Sequence, residues 1–163
     1  MMIKIRGMEI RDRGGIEQIL AKVRVFPPQE IDIALEVIDS YLSGSPDYII
    51  KVAVDETDRV LGYICYGKIP LTDALWDVYW IVVGREFQGK GIASCLMEFM
   101  EGDLMAKRAR AIMVETSSIS DYSPARDFYV RKGFNEVCRI EDFYAEGNDK
   151  VIYRKNLGRS INE

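Results

Sequence analysis

The chain has 163 residues, of which 29% are charged and 48% apolar, so length and composition predict one folded domain over residues 1–163. Lys and Arg total 22 against 26 Asp and Glu, and this net charge of −4 argues against nucleic-acid binding as the main role. The chain has 0 histidines, which excludes Ser-His-Asp and Cys-His nucleophile systems and His-ligated zinc, and leaves a carboxylate, Tyr, Cys, Lys or a relayed water as acid or base.

The first half of the chain has the hydrophobic periodicity of a strand, two helices and two more strands. In chain order these are a strand at 3–10, a helix over 16–23, a helix after Pro27-Pro28 that reaches Leu42, and strands at 48–54 and 60–66. The polar residues 55–58 between the last two strands are typical of a hairpin turn.

The second half continues with alternating strands and helices, which together predict a single mixed α/β domain. The elements are a strand at 76–83, a break at Gly89-Lys90-Gly91, a helix over 92–104, a strand at 111–114, a helix over 123–133, and strands at 135–140 and 151–157. Ser123 is predicted as the N-cap of the late helix, with Pro124 at its first position and Gly133 as its C-terminal cap. The residues from 141 to 150 are predicted to form a polar loop.

Cysteine usage and the N-terminus bear on the cell compartment. Cys65, Cys95 and Cys138 are widely spaced and form no CxxC motif, which favours a reducing cytoplasm without a disulfide framework. The N-terminus has no apolar signal-peptide core, and no run of 18 apolar residues predicts a membrane span. We therefore expect a cytoplasmic protein that binds no metal, no membrane and no nucleic acid.

The strongest chemical signal is the glycine-rich segment Gln88–Ala93, which follows an apolar strand and opens a helix. Main-chain N–H groups at a helix start lack internal partners, and the helix dipole adds positive charge, so the segment suits a phosphate or diphosphate. A P-loop is disfavoured because Gly91 stands where Ser or Thr must bind magnesium, and Ser94 interrupts a dinucleotide fingerprint. A tight turn without a ligand is the remaining alternative.

Two segments of the chain carry motifs: Gln88-x-x-Gly91-x-Ala93 follows an apolar strand, and Ala125-x-x-Phe128-Tyr129-x-x-x-Gly133-Phe134 combines a helix with a turn. The first looks like the acetyl-CoA signature of the GNAT N-acetyltransferase superfamily, and the second resembles the helix-plus-turn of that family. The order of predicted elements also agrees with that family. The resemblance implies a mixed, mostly antiparallel sheet of about seven strands flanked by about four helices.

The resemblance also implies a mode of cofactor binding that depends on main-chain groups. Ile81, Val82 and Val83 would lie along the pantetheine arm of acetyl-CoA. The main-chain amides of the following turn would hold the diphosphate, and the residues concerned are Gln88, Gly89, Lys90, Gly91, Ile92 and Ala93.

By the same resemblance, Tyr129 would protonate the departing thiolate, and Asp77 would act as general base through a water. Each residue has a structural alternative. Tyr129 borders an apolar helix face and could be a core tyrosine, while Asp77 could be a solvated residue at the start of its strand. Tyr79 is the fallback base, and Tyr122 replaces an Asn that often bonds the cofactor arm in this family.

The resemblance implies acetyl transfer to a primary amine of a small molecule or peptide by direct transfer in a ternary complex. Acidic residues in the second helix and the late loop favour a cationic amine, although an ordinary solvated surface explains them equally well. The alternative from another class is a non-catalytic acyl-CoA-binding sensor, and a nucleotide triphosphatase is disfavoured. A homodimer is common among proteins that look like this one.

Overall fold

The computed structural model describes residues 1–158, which form seven strands and four helices. The strands are β1 (Lys4–Gly7), β2 (Ile49–Val54), β3 (Val60–Lys68), β4 (Leu75–Val83), β5 (Ala111–Ser117), β6 (Asn135–Ala145) and β7 (Asn148–Asn156). The helices are α1 (Arg13–Lys22), α2 (Pro28–Leu42), α3 (Ile92–Ala106) and α4 (Ser123–Arg131). None of these four helices combines the length and the apolar composition that a membrane crossing requires.

The strands are joined in one sheet in the order β1-β2-β3-β4-β5-β7-β6. β4 and β5 run parallel, whereas β1–β2, β2–β3, β5–β7 and β6–β7 are antiparallel pairs. A crossover through α3 makes the parallel pair sterically accessible, because parallel neighbours need a long connection. The predicted mixed, mostly antiparallel sheet of seven strands with four helices is confirmed.

Contacts divide the described chain into two compact units. The first comprises residues 1–67 and 79–104, and the second comprises residues 68–78 and 105–158. β4 is shared, because Leu75–Val78 belong to the second unit and Tyr79–Val83 to the first. Whether these units belong to a single domain over residues 1–163, as the sequence predicts, stays a prediction.

The core of the first unit lies where α1 and α2 cover one face of β2 and β3. The buried members include Ile16, Ile19 and Leu20 from α1, Ala34 and Ile38 from α2, Val52 and Val54 from β2, and Tyr63 and Cys65 from β3. They follow the helical and strand periods that the sequence shows. On the other face of β3, the Tyr66 hydroxyl donates a hydrogen bond to the Asp103 carboxylate at 2.6 Å, which ties α3 to the sheet.

In the second unit, α4 is fastened to the end of β5. Ser117 and Ile119 accept hydrogen bonds on their main-chain carbonyl oxygens from the Arg126 guanidinium at 2.7 and 2.8 Å. β5 extends to Ser117, three residues beyond the predicted end at Val114, and its whole length pairs with β7. The position of α4 is therefore set by the longer strand.

The prediction of a polar loop over residues 141–150 was wrong, because these residues belong to a C-terminal hairpin. β6 runs to Ala145 and β7 begins at Asn148, so the connection is a tight turn at Glu146 and Gly147, with φ of +76° at Gly147. Asp142 accepts a hydrogen bond from the Gly147 amide at 2.7 Å, and Asp149 accepts one from the Asp142 amide at 3.0 Å. The polar residues that indicated a loop therefore bond within the hairpin itself.

Two other predicted boundaries were wrong. β1 ends at Gly7 rather than at residue 10, because the Glu9 amide donates to the Asp12 carboxylate at 2.8 Å and starts a short 3₁₀ turn. Ser123 is the first residue of α4 rather than its N-cap, which is Tyr122. The remaining elements begin and end within about three residues of their predicted positions.

The main chains of β3 and β4 come very close together at Gly62. A Cβ atom at this position would lie 2.6 Å from the carbonyl oxygen of Val82 and 3.1 Å from the Cα of Val83. Both neighbours are backbone atoms, so they cannot rotate away as a side chain would. Glycine at this position therefore lets β3 approach the segment of β4 that the sequence assigns to cofactor binding.

We expect Gly62→Ala to destabilise the protein by about 2 kcal/mol or more, because the added methyl forces two strands apart. The matched control is Gly102→Ala in α3, where a Cβ meets nothing within 4 Å. That variant should stabilise the protein by about 0.5–1 kcal/mol, since alanine has the higher helix propensity. Urea unfolding measures both changes, and an equal effect of the two substitutions would contradict the close approach.

Candidate active site

The turn between β4 and α3 is anchored to β3. The Gly84 amide donates to the Leu61 carbonyl oxygen at 2.8 Å, and the Phe87 amide donates to the Gly84 carbonyl oxygen at 2.8 Å. The Phe87 ring is buried, and the guanidinium of Arg59 lies over it at 4.7 Å from the ring centroid. The chain thus enters the glycine-rich segment from a fixed position.

The glycine-rich segment has a left-handed backbone at two positions. Gly89 and Gly91 have φ of +76° and +79°, a region that side chains disfavour. The Gly91 carbonyl oxygen accepts from the Cys95 amide at 3.0 Å, so Gly91 is the N-cap of α3. No acceptor within residues 1–158 bonds to the main-chain N–H groups of residues 88–94, so this row of donors is available to a ligand.

The C-terminal part of β4 extends past the residues that pair with β5. In the described chain, that register joins Leu75–Val78 to Ala111–Val114 and does not include Tyr79–Val83. The Val83 carbonyl oxygen accepts a weak hydrogen bond from the Gln88 side chain at 3.4 Å. All the predicted cofactor-binding residues, from Ile81 to Ala93, belong to the first unit.

Tyr129 is held by the C-terminal cap of α4. The Gly133 amide donates to the Val130 carbonyl oxygen at 3.1 Å, and the Phe134 amide donates to the Tyr129 carbonyl oxygen at 3.0 Å. Together with φ of +88° at Gly133, these two bonds form a Schellman motif. The predicted role of Gly133 in closing the helix is therefore confirmed, and its consequence is a fixed main chain at Tyr129.

The Tyr129 ring lies in an aromatic cluster and is 7% exposed. Its centroid is 5.8 Å from that of Phe128, 5.7 Å from that of Phe134 and 6.0 Å from that of Tyr153. Burial raises the pKa of Tyr129 above the ordinary value of a phenol. The hydroxyl therefore carries its proton throughout the neutral range, as a general acid must before it reacts.

Asp77 lies in β4 opposite Met113 of β5 and is half-buried. Burial, followed by the nearby Glu115 carboxylate, raises the pKa of Asp77 to about 6, and the Lys150 ammonium opposes the rise. Lys150 also forms an ion pair with Glu115 at 2.8 Å. A carboxyl group with a pKa near 6 is mostly ionised at pH 7 and still takes up a proton readily, which suits a general base.

Glu115 and Lys150 are the residues near Asp77 that the sequence did not identify. Glu115 is two residues beyond Met113 in β5, so it shares a face of the sheet with Asp77. This neighbourhood depends on the parallel register, which no local pattern specifies. Lys150 was assigned to a loop, although it belongs to β7.

The acidic residues that the sequence associated with the acceptor include several that are engaged elsewhere. Asp39 of α2 accepts from the Arg13 guanidinium at 2.6 and 2.9 Å, and Asp149 lies 3.4 Å from Arg139. The fallback base Tyr79 has its ring centroid 5.6 Å from that of Tyr48. Within residues 1–158, no group of three or more His, Cys, Asp or Glu residues is arranged to hold a metal ion.

The chain is similar in sequence to known proteins. A family model described as an acetyltransferase (GNAT) domain matches residues 46–136. The chain is 30% identical over 124 residues to NAA20, the catalytic subunit of the N-terminal acetyltransferase B complex of Arabidopsis thaliana, and the match covers 75% of this chain and 70% of that protein.

Solved structures extend the likeness to the whole described fold. A GNAT-family protein from Desulfovibrio desulfuricans is 31% identical with a TM-score of 0.92, covering 96% of this chain and 100% of that one. The ribosomal-protein-S18-alanine N-acetyltransferase from Escherichia coli has a TM-score of 0.80 at 15% identity, covering 99% and 98%, which shows a shared fold.

The fold and these matches define a class of acetyl-CoA-dependent acyltransferases. The chain belongs to the GNAT acetyltransferase family. It is an N-acetyltransferase that uses acetyl-CoA.

The neighbours of Asp77 give a titration test. We expect the Asp77 carboxyl to titrate near pH 6, and Glu115→Gln to lower that midpoint because it removes a like charge. Lys150→Met should raise the midpoint, since it removes the favourable cation. Carbon-detected NMR of labelled aspartate carboxyls measures all three, and shifts of the same sign in the two variants would contradict the arrangement.

Proposed function

We propose that the chain transfers the acetyl group of acetyl-CoA directly to a primary amine in a ternary complex of enzyme, cofactor and acceptor. The observation that carries this proposal is the row of main-chain N–H groups at residues 88–94, which bond to no acceptor within residues 1–158. The helix dipole of α3 adds partial positive charge at the same place. A diphosphate is the group of coenzyme A that such a row of donors fits.

The pantetheine arm is proposed to lie along Ile81, Val82 and Val83. These residues follow Val78, the last residue of β4 in the described register with β5, so they suit main-chain contacts to an extended ligand. Within the first unit, Gly62 lets β3 approach this segment of β4 closely. Lys90 is proposed to add a charge beside the diphosphate.

The reaction requires a neutral amine, a polarised carbonyl and a protonated leaving group. The amine nitrogen attacks the thioester carbon, the carbon–sulfur bond breaks, and coenzyme A leaves as a thiolate that must gain a proton. We assign that proton to the Tyr129 hydroxyl, which the raised pKa keeps protonated until the thiolate forms. Coenzyme A then leaves as the free thiol, and the second proton of the attacking nitrogen, which is lost when the amide forms, returns the Tyr129 phenolate to the phenol.

The acceptor loses its proton to Asp77 in this scheme. An aliphatic ammonium cannot attack a carbonyl, so a base must first remove one proton. Asp77 has a pKa of about 6, and its side chain is short, so a water molecule is proposed to relay the proton. Glu115 supports this role because its charge holds the pKa of Asp77 up.

The acceptor is proposed to be a primary amine of a small molecule or a peptide. The relative NAA20 is named as an N-terminal acetyltransferase subunit, which favours peptides with a free α-amine as the first panel to assay. Polyamines and amino sugars form the second panel. Thiol release from acetyl-CoA should require an acceptor, and intact-mass analysis without acceptor should find no acetylated enzyme; stable self-acetylation would contradict direct transfer.

Gly91→Ala should raise the dissociation constant of acetyl-CoA about tenfold, because an alanine at this φ is strained and moves the amide row. Gly147→Ala is the matched control, since Gly147 has a nearly equal φ of +76° and equally open space around its Cα. Both variants should lose about 1–2 kcal/mol of stability, whereas only the first should lose affinity. Calorimetric titration measures this difference, and equal affinities would contradict the proposed diphosphate site.

Tyr129→Phe should lower kcat by about 100-fold or more while leaving the affinity for acetyl-CoA unchanged, because it removes only the proposed proton donor. Tyr153→Phe serves as the control, since it removes a hydroxyl from the neighbouring ring of the same cluster. Its kcat should stay near that of the wild type. Steady-state kinetics with a fixed amine separate the two, and an unchanged kcat for Tyr129→Phe would remove this residue from the mechanism.

A further inference from the structure

The first unit carries a surface pocket that the proposed diphosphate site does not include. It has a volume of about 520 Å³ and is lined by Ala21, Lys22, Arg24, Arg85 and Glu86. The lining residues come from the C-terminal end of α1, the chain just after it, and the turn that follows β4. The volume falls in the range of pockets that hold small molecules or parts of them.

The pocket is strongly cationic for an acidic protein. Three of its five lining residues are basic, although the whole chain has a net charge of −4. Its one carboxylate, Glu86, is neutralised from outside the lining by the Arg59 guanidinium at 2.9 Å. The three basic residues therefore outnumber the one carboxylate of the lining, and that carboxylate is already paired with Arg59.

None of the three cations is engaged within the described chain. Lys22, Arg24 and Arg85 form no ion pair and donate no side-chain hydrogen bond to any group of residues 1–158. Lys22 has a structural reason for its place, since a cation stabilises the C-terminal end of a helix. No such reason applies to Arg24 or Arg85, and like charges brought together repel each other, so the cluster calls for an anion.

The position of Arg85 indicates which anion this is. Arg85 precedes Gln88 by three residues, so its Cα lies at most about 11 Å from the first amide of the proposed diphosphate site. In coenzyme A a single ribose separates the diphosphate from the 3′-phosphate, a terminal dianion. Guanidinium groups bind phosphate oxygens in a bidentate geometry, so the two arginines suit a terminal phosphate.

We infer that this pocket, lined by Lys22, Arg24 and Arg85, binds the 3′-phosphate of acetyl-CoA. The inference rests on the proposed function, because it presumes that the diphosphate lies at residues 88–94. The pocket makes the enzyme distinguish acetyl-CoA from 3′-dephospho-acetyl-CoA, which has the same thioester, pantetheine arm and diphosphate. The main-chain donors hold both ligands, and only the basic residues of the pocket respond to the difference.

The test is a binding cycle with two ligands and three proteins. Calorimetric titration compares acetyl-CoA with 3′-dephospho-acetyl-CoA on the wild type, on the double variant Arg24→Gln with Arg85→Gln, and on Lys4→Gln. Lys4 is an exposed lysine of β1 in the same unit and serves as the control for a general loss of positive charge. Both arginines are exposed and lack side-chain partners, so the double variant should fold, which its thermal unfolding checks.

The wild type and Lys4→Gln should bind acetyl-CoA about tenfold more tightly than the dephospho compound, and the double variant should bind the two almost equally. An unchanged ratio in the double variant would overturn the inference while leaving the diphosphate site intact. A raised KM for acidic amine acceptors with an unchanged ratio would also overturn it and would assign the pocket to the acceptor. Failure of the wild type to bind either ligand would instead contradict the proposed function.

Discussion

Two left-handed glycines, Gly89 and Gly91, shape the connection between β4 and α3 so that a row of main-chain N–H groups has no acceptor within residues 1–158. Donors left in this state favour an anion, because aligned N–H groups at the start of a helix carry partial positive charge. Their position is fixed upstream by the bond from the Gly84 amide to Leu61 and by the close approach at Gly62. The proposed grip on the cofactor thus depends on packing between two strands as much as on the turn itself.

The second unit contains the two residues that are proposed as acid and base in a chain that has 0 histidines. Asp77 has its pKa raised by burial and by Glu115, whereas Tyr129 has its pKa raised by burial alone. One group is therefore mostly ionised at pH 7 and the other is fully protonated. Environments that separate two titratable groups in this way are typical of acid and base partners.

The sequence predicted the architecture well because periodicity and glycine placement are local signals. The strand over Leu75–Val83, the helix after Pro27 and the glycine closure at Gly133 all follow from spacing within one element. The C-terminal hairpin was not predicted because Asp142 and Asp149 are residue types that are common in turns. Their hydrogen bonds within the hairpin form only when the two strands pair.

The candidate site was predicted only where a motif is contiguous in the chain. Tyr129 and the turn at 88–93 belong to such motifs, whereas the influence of Glu115 and Lys150 on Asp77 requires the register of β4, β5 and β7. The cationic pocket was not predicted for the same reason, since Arg24 and Arg85 are far apart in sequence. Long-range pairing is the part of the structure that a single sequence specifies least directly.

A donor row made of backbone has a consequence for how such a chain can change over evolutionary time. Every amino acid except proline supplies the same N–H group, so most side chains along residues 88–94 can be exchanged without losing a donor. The shared fold with the Escherichia coli enzyme, at 15% identity and a TM-score of 0.80, shows how far sequences diverge on this scaffold. A donor row made of main chain therefore places few demands on side chains, so the surrounding surface can change in sequence without the loss of a donor.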